Sequence, residues 1–505
     1  MVSQTAQRTG ITTMNIIDAA NELLGEIGSG KMSNTVYDTA WVAMLGEVDW
    51  TLGNSALEWL SSKQLPDGSW GNNSLSYYHD RLICTLTAML ALSKRGRRAY
   101  DQRQVERGRD AIEKIISGAT SNLAADPYGA TVGFELIVPT LTAEAEAVGL
   151  IPSQQGRILG RLQNQRVRKL SLLNGKKISR FLTVAHSSEM VGSDGLHLLD
   201  LENLQEANGS IGYSPSATAF FALKVKPGDS AALGYLNSIK HDGGVPNVAP
   251  IDIFECAWTL WNFSLTDQVN DLDSSLIKKH LKFLFDNWNE QTGVGFAANY
   301  SAHDGDDTGL VFDVLKRFGY HPSLSAMLAY EESDSFRCFA LEANPSVSAN
   351  IHALGALRQA GLSVDHSAVQ KILGFLDDKS HLNTFWADKW HISPYYATSH
   401  LIITCAAFAD EFARKAVDWM CQTQNLNGSW GYYMPTAEET AYCLQALAVW
   451  EKSGGKVPKP VLERGAKWLV DNMDTPYPAL WIGKCLYSPD LVIRSSIISA
   501  LMLTT

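Results

Sequence analysis

The sequence predicts an all-α protein on three observations. Apolar residues recur at three- and four-residue spacing over 80–92, 349–357 and 439–450, the period of a helix with a buried face. No long stretch alternates apolar with polar residues, the signature of a half-buried strand. Gly, Pro and Asn interrupt the helical stretches too often for one long bundle, so many short antiparallel helix pairs are expected.

An internal repeat supports an array of helical hairpins. Gln64-Leu-Pro-Asp67-Gly68-Ser69-Trp70-Gly71 recurs as Gln424-Asn-Leu-Asn427-Gly428-Ser429-Trp430-Gly431, with a degraded copy at Gln205-Glu-Ala-Asn208-Gly209-Ser210. Asp or Asn before Gly makes a turn after each helix, while Gln and Trp can tie neighbouring helices by hydrogen bonding and indole packing. These Trp residues are read as braces without a chemical role.

Size and charge narrow the function classes. A chain of 505 residues exceeds one domain and can bury a large core. Net charge is −11, and the basic residues form only short clusters, Lys94-Arg95-Gly96-Arg97-Arg98 and Arg166-Val167-Arg168-Lys169, so no nucleic-acid partner is expected. Residues 1–15 are largely polar, and no apolar run approaches the ~18 residues of a membrane span, so neither a signal peptide nor stable membrane insertion is expected. A cytoplasmic location follows. Seven scattered cysteines without C-x-x-C spacing read as reduced, buried thiols.

The chemistry centres on His303-Asp304-Gly305-Asp306-Asp307-Thr308. Three carboxylates this close cannot all ionise cheaply in a buried site, so one is expected to keep its proton and serve as a general acid. A calcium loop is the competing reading, but after Thr308 the chain runs Gly-Leu-Val-Phe-Asp-Val-Leu, which is mostly apolar and lacks the later ligands of an EF-hand.

The Q-x-x-D-G-S-W repeats are similar to the QW motifs of terpene cyclases, and Asp304-Gly305-Asp306-Asp307 resembles the D-x-D-D motif of class II diterpene cyclases. Ser33-Asn-Thr-Val-Tyr37-Asp38-Thr39-Ala40-Trp41-Val42-Ala43 resembles a signature near the start of copalyl diphosphate synthases. Further family-like segments are Val132-Gly133-Phe134-Glu135, Ser214 to Phe220, Gly243 to Val248, Asp388-Lys389-Trp390 and Leu480 to Lys484. The resemblance implies two α-helical barrel-like (α/α toroid) domains, β and γ, with the active site between them. Residues 1–50 are expected in β, 51–268 in the inserted γ domain, and 269–505 in the main part of β with the D-x-D-D motif.

In such enzymes the middle Asp protonates an alkene of geranylgeranyl diphosphate, which maps to Asp306. Alkene protonation demands a strong acid, and a carboxylic acid kept neutral by its neighbours suits it. The resemblance implies that Asp304 and Asp307 hydrogen-bond Asp306, and that Asn350 does so too. Aromatic walls would steady the cation by ~0.5 to 2 kcal/mol each. Trp258, Phe254, Trp386, Trp390, Tyr432 and Tyr433 are the candidates by proximity to motifs. A His and an Asn holding a water act as the base in synthases giving the ent product, matching His186 and Asn247.

For the diphosphate, Lys389 matches a family Lys, and Lys176, Lys177 and Arg180 lie just upstream of His186. Mg²⁺ is expected as the diphosphate counter-ion, with its site undetermined, because only Asp126 stands where plant relatives carry an acidic run. Asp377-Asp378 is not followed by Asp at the position needed for D-D-x-x-D, so the diphosphate is expected to stay intact. A separate class I diterpene synthase or a phosphatase would then act downstream. The favoured product is ent-copalyl-type. Segments at 135–140, 203–210 and 225–229 also resemble cyclases forming rearranged halimadienyl or kolavenyl (clerodane) skeletons. A squalene-type triterpene cyclase is the remoter alternative, and a non-catalytic helical-repeat binding module is the rival outside the cyclases.

Overall fold

The computed structural model describes residues 13–117, 122–126, 129–382, 384–474 and 476–504. Residues 1–12 of the polar N-terminal stretch, and Pro127 and Tyr128 after Asp126, lie outside the described residues. Helices dominate, and the described strands are the short antiparallel pair Trp481–Ile482 and Leu486–Tyr487. No helix is long and apolar enough to cross a membrane.

Two kinds of helix alternate along the second half of the chain. Val347–Gln359 buries every residue from Val347 to Leu357, and Pro394–Cys405 is buried throughout. By contrast Ser367–Lys379 and Asp410–Gln422 bury one stripe each, such as Ala413, Ala416, Val417 and Met420. A helix apolar all round must be surrounded by protein, whereas an amphipathic one lies outside. Inner helices Asp252–Ser264, Gly305–Arg317, Val347–Gln359, Pro394–Cys405, Ala437–Lys452 and Asp490–Thr504 each pack on the next, and the last packs on the first. They close an α/α toroid.

The first half repeats the plan on a smaller scale. Val36–Ala43, Tyr78–Arg95, Phe134–Ala147, the 3₁₀ segment Thr183–Val191 and Pro215–Phe220 form a second closed ring. One apolar core spans residues 16–27 and 253–502, and the other spans 36–245 with Cys485. Packing therefore differs from the expected divisions at both edges. Val36–Ala43, expected with the β part, packs in the smaller ring, and Asp252–Ser264, expected with γ, packs in the larger one. Tyr37, Ala40 and Trp41 are too apolar and too deeply buried to belong to a surface-crossing linker.

The repeats brace adjacent hairpins. The Gln64 amide donates to the carbonyls of Gly68 (2.9 Å) and Gln104 (2.8 Å), and Trp70 Nε1 donates to the carbonyl of Leu60 (3.0 Å). Gln424 and Trp430 repeat the arrangement on Gly428, Val461 and Met420. Gly428 holds φ +95°, and a Cβ there would meet the Arg464 carbonyl oxygen at 2.4 Å, so the turn requires glycine.

A buried polar network joins the two rings. Lys484 Nζ donates to Glu189 Oε1, Ser214 Oγ and Ser216 Oγ, each at 2.6 Å, and Lys484 is wholly buried. The Tyr37 hydroxyl donates to Glu189 Oε1 at 2.8 Å, and Asp38 accepts from the Ser216 backbone N–H at 3.2 Å. Charges this deep persist only when paired and hydrogen-bonded.

Candidate active site

The three carboxylates sit where the Gly305–Arg317 helix begins, and they divide the work. Asp304 is the N-cap, accepting from the backbone N–H groups of Asp306 (3.0 Å) and Asp307 (2.8 Å). A capping carboxylate satisfies donors that the first helical turn leaves open. Asp304 and Asp307 are buried, while Asp306 is partly exposed. Burial pushes Asp304 up to about 7. Burial, together with the charges of Asp304 and Asp306, pushes Asp307 well above the usual carboxylate range. This pair retains a proton near neutrality.

The hydrogen-bond partner of Asp306 is His352. Its Nδ1 lies 2.5 Å from Asp306 Oδ1, and its Nε2 lies 2.9 Å from His400 Nδ1. Burial holds His400 well below the usual imidazole range, hence neutral. A neutral His400 that donates Nδ1–H to His352 Nε2 leaves the His352 proton on Nδ1, facing Asp306. That assignment gives Oδ1 of Asp306 a donor.

Two implied contacts are corrected here. Asn350 does not hydrogen-bond the acid, because its amide N–H groups donate to the carbonyls of Phe336 (2.9 Å) and Ser346 (2.8 Å), and its Oδ1 accepts from Phe336 N–H. Residues two apart on a helix face nearly opposite ways, so His352 meets Asp306 while Asn350 faces the 336 loop. Nor does Asp304 bond the Asp306 carboxyl: it accepts from the backbone N–H groups of Asp306 and Asp307 and from the Asp307 side chain.

Aromatic groups pack around His352, the partner of Asp306. Trp258 meets His352 edge-on at 5.4 Å and donates to the Tyr396 hydroxyl at 3.2 Å. Phe254 lies 4.2 Å from Trp258, and Trp481 lies 4.9 Å from Tyr396 and 5.5 Å from Phe254. Three other aromatic candidates stand elsewhere. Trp386 donates to the Leu376 carbonyl at 2.6 Å, the bond that Trp70 and Trp430 make, so it is a brace. Tyr432 and Tyr433 are exposed at 42% and 39% and line no closed wall. Trp390 is half-buried beside Lys389, with its indole N–H unpartnered. His352, His400, Tyr396 and Trp481 escaped the sequence reading of the site, although His352 lies in the segment that supplied Asn350.

His186 and Asn247 stand in the polar region around Lys484 without a hydrogen bond between them. His186 Nδ1 donates to the Gly212 carbonyl at 3.0 Å, and burial with nearby Lys484 lowers its pKa to about 3. The Asn247 amide donates to Asp38 Oδ2 at 3.0 Å.

The basic candidates are dispersed. Lys389 pairs with Glu342 and donates to the Asn344 carbonyl at 2.9 Å, with its ammonium over the rings of Phe339 and Trp390. Lys176 and Lys177 are exposed, and Arg180 donates to the Gln205 carbonyl at 3.0 Å. A cavity of about 260 Å³ opens between the rings, lined by Phe181 and Thr183 on one side and by Ser301, His303, Tyr330 and Arg337 on the other. Asp126 does not fit a Mg²⁺ site. Its carboxylate already accepts from Tyr78 N–H, His79 N–H and His79 Nδ1. Asp80, Cys84 and Cys485 cluster closely, but both Asp80 oxygens are taken by backbone N–H groups, and thiols suit soft metals.

Comparison with known proteins agrees with this geometry. Residues 338–476 match the squalene-hopene cyclase C-terminal domain. A type B diterpene cyclase of Mycobacterium tuberculosis is 44% identical over 94% of this chain and 96% of its own length. A (-)-kolavenyl diphosphate synthase of Tripterygium wilfordii is 28% identical over 75% of this chain, which spans about half that plant protein (46%). The solved structure of ent-copalyl diphosphate synthase from Streptomyces platensis superposes with a TM-score of 0.77 at 25% identity, covering 97% of this chain and 99% of that one. With paired helical rings, a buried acid cluster at their meeting point and a close relative matched almost end to end, the chain belongs to the class II diterpene cyclases.

Proposed function

We propose that the protein protonates the terminal alkene of geranylgeranyl diphosphate and closes two rings, leaving the diphosphate in place. The observation that carries this reading is Asp306, the one partly exposed carboxyl of the triad, with one oxygen held by His352. Protonation at the distal alkene makes a tertiary cation, and the faces of Trp258, Phe254 and Tyr396 steady it without reacting. Retention of the diphosphate is supported by Asp377 and Asp378, which lie exposed at the end of the outer helix Ser367–Lys379, away from the acid. Lys389 and Arg180 are the proposed cationic contacts of the diphosphate, with Mg²⁺ entering as its counter-ion.

A copalyl-type product of the ent series follows if His186 and Asn247 hold the water that takes the final proton. Neutral His186 suits that role, because a carbocation is acidic enough to protonate a weak base. A second reading, a rearranged halimadienyl or kolavenyl skeleton, is favoured by the commitment of the Asn247 amide to Asp38. With the dyad unjoined, the first bicyclic cation outlives its formation and hydride and methyl groups migrate. Incubation with geranylgeranyl diphosphate and Mg²⁺, then phosphatase and chiral gas chromatography with mass spectrometry, separates these outcomes. Copalol supports the dyad, a rearranged alcohol supports the second reading, and recovered geranylgeraniol alone defeats both.

A further inference from the structure

The aromatic enclosure hides a carboxylate that the proposed reaction does not use. Glu438 is 1% exposed, on the inner helix Ala437–Lys452. Its Oε1 accepts three hydrogen bonds, from Trp481 Nε1–H (2.7 Å), the Tyr442 hydroxyl (2.9 Å) and His391 Nε2–H (3.2 Å). Its Oε2 is buried without a partner. Three donors thus converge on a single carboxylate oxygen.

Nothing nearby neutralises that charge. Among the described residues no Lys or Arg pairs with Glu438. His391 accepts the Ser393 backbone N–H at Nδ1 (3.1 Å), so it meets Glu438 as a donor through Nε2. A buried, unpaired carboxylate is costly and persists where something else requires it. The buried Lys484, by contrast, is paired with Glu189.

The carboxylate is wired to the enclosure around the acid. Trp481, its strongest donor, faces Tyr396 and Phe254, and Tyr396 is tied through Trp258 to His352 and Asp306. Burial and the charges of Asp307, Glu438 and Asp306 all raise the Tyr487 phenol, so the acid cluster and Glu438 both act electrostatically on this ring. An indole whose N–H donates to an anion carries more electron density on its face, which strengthens its attraction for a cation.

We propose that Glu438 is a fixed counter-charge for the carbocation, acting through the indole of Trp481 to set how far positive charge travels over the ring skeleton before proton loss. The inference rests on the cyclase reading and deepens it. Glu438 is a positioning residue, since its carboxylate acts on the cation through aromatic rings. Charge drawn towards this end of the enclosure would sit in the ring formed beside Asp306, where rearranged cations carry it after hydride and methyl migration. Losing the counter-charge would shorten that journey.

The test compares wild type with Glu438→Gln, which keeps shape and an acceptor oxygen but removes the charge. Two probes are titrated: a prenyl diphosphate analogue bearing a tertiary ammonium within the chain, and its uncharged carbon counterpart. Glu438→Gln is expected to bind the ammonium analogue about tenfold more weakly, with the uncharged analogue unchanged. Its turnover products should shift towards less rearranged alcohols. Equal binding of the ammonium analogue by both proteins overturns the proposal. If Glu438→Gln does not fold, Trp481→Phe, which removes the coupling N–H, must show the same selective loss, and unchanged selectivity there is equally fatal. Wild-type turnover of geranylgeranyl diphosphate is scored separately. Its absence alongside selective ammonium binding counts against the substrate and leaves the counter-charge standing.

Discussion

His352 Nδ1 and Asp306 Oδ1 stand 2.5 Å apart on neighbouring inner helices, Val347–Gln359 and Gly305–Arg317, which pack against each other in the ring. The contact fixes one oxygen of the proposed acid. Asp306→Asn is expected to abolish turnover while the thermal unfolding curve keeps its shape. His352→Phe should lower turnover by about 10² to 10⁴ and leave KM nearly unchanged. Steady-state kinetics of both variants checks this, and near-normal turnover in Asp306→Asn would exclude that residue as the acid.

Turnover is expected to fall as pH rises through about 7, where Asp304 ionises. Its folded value lies above the unfolded one, so its contribution to stability is fully present below about 4 and lost as pH rises through about 7. Melting curves across that range should lose this component in Asp304→Asn. His186 has the opposite sign. Lowered from 6.5 to about 3, it contributes stability above 6.5 that is lost as pH falls towards 3.

Lys484→Met leaves Glu189 buried without its cation. A loss of about 3 to 5 kcal/mol is expected, read as a lower denaturant midpoint. The double variant Lys484→Met with Glu189→Leu should recover part of it, which a purely steric effect of the methionine would not allow.

Trp430→Phe removes the indole donor to the Met420 carbonyl and is expected to cost about 1 to 3 kcal/mol without changing the product mixture. An altered product ratio would mean that this brace reaches the cavity.

His186→Ala and Asn247→Ala separate the two product readings. If the pair holds the final base, each variant should divert copalol towards rearranged or hydroxylated alcohols, as gas chromatography would show. If skeletal migration is already the native course, both variants should leave the product mixture nearly as it was.

Much of the fold could be read from the order of residues, because helical period and Gly-centred turns are local properties. The acid triad was equally legible, since its crowding lies within four positions. His352 was harder to find. The sequence places it two residues from Asn350, and only the rotation of the helix decides which faces Asp306. Trp386 misled for a related reason. It follows Asn383 by three positions, as Trp70 follows Asp67, but no Gln precedes it at the repeat spacing. Its role as a brace emerged from the bond to Leu376. The exchange of Val36–Ala43 and Asp252–Ser264 between the rings depends on packing across more than 200 residues, which local pattern does not record.

Lys484 also bears on how the chain comes to be folded on a ribosome. Glu189, which it neutralises, is made 295 residues earlier, so the smaller ring emerges with a carboxylate at its heart and no cation to meet it. Until the hairpin that carries Lys484 is synthesised, that ring lacks the cation that pairs with its buried carboxylate. The protein is therefore poorly suited to being cut into two independently expressed halves. A chain broken just before Lys484 would lose the cation at the centre of the smaller ring together with Cys485 of its core.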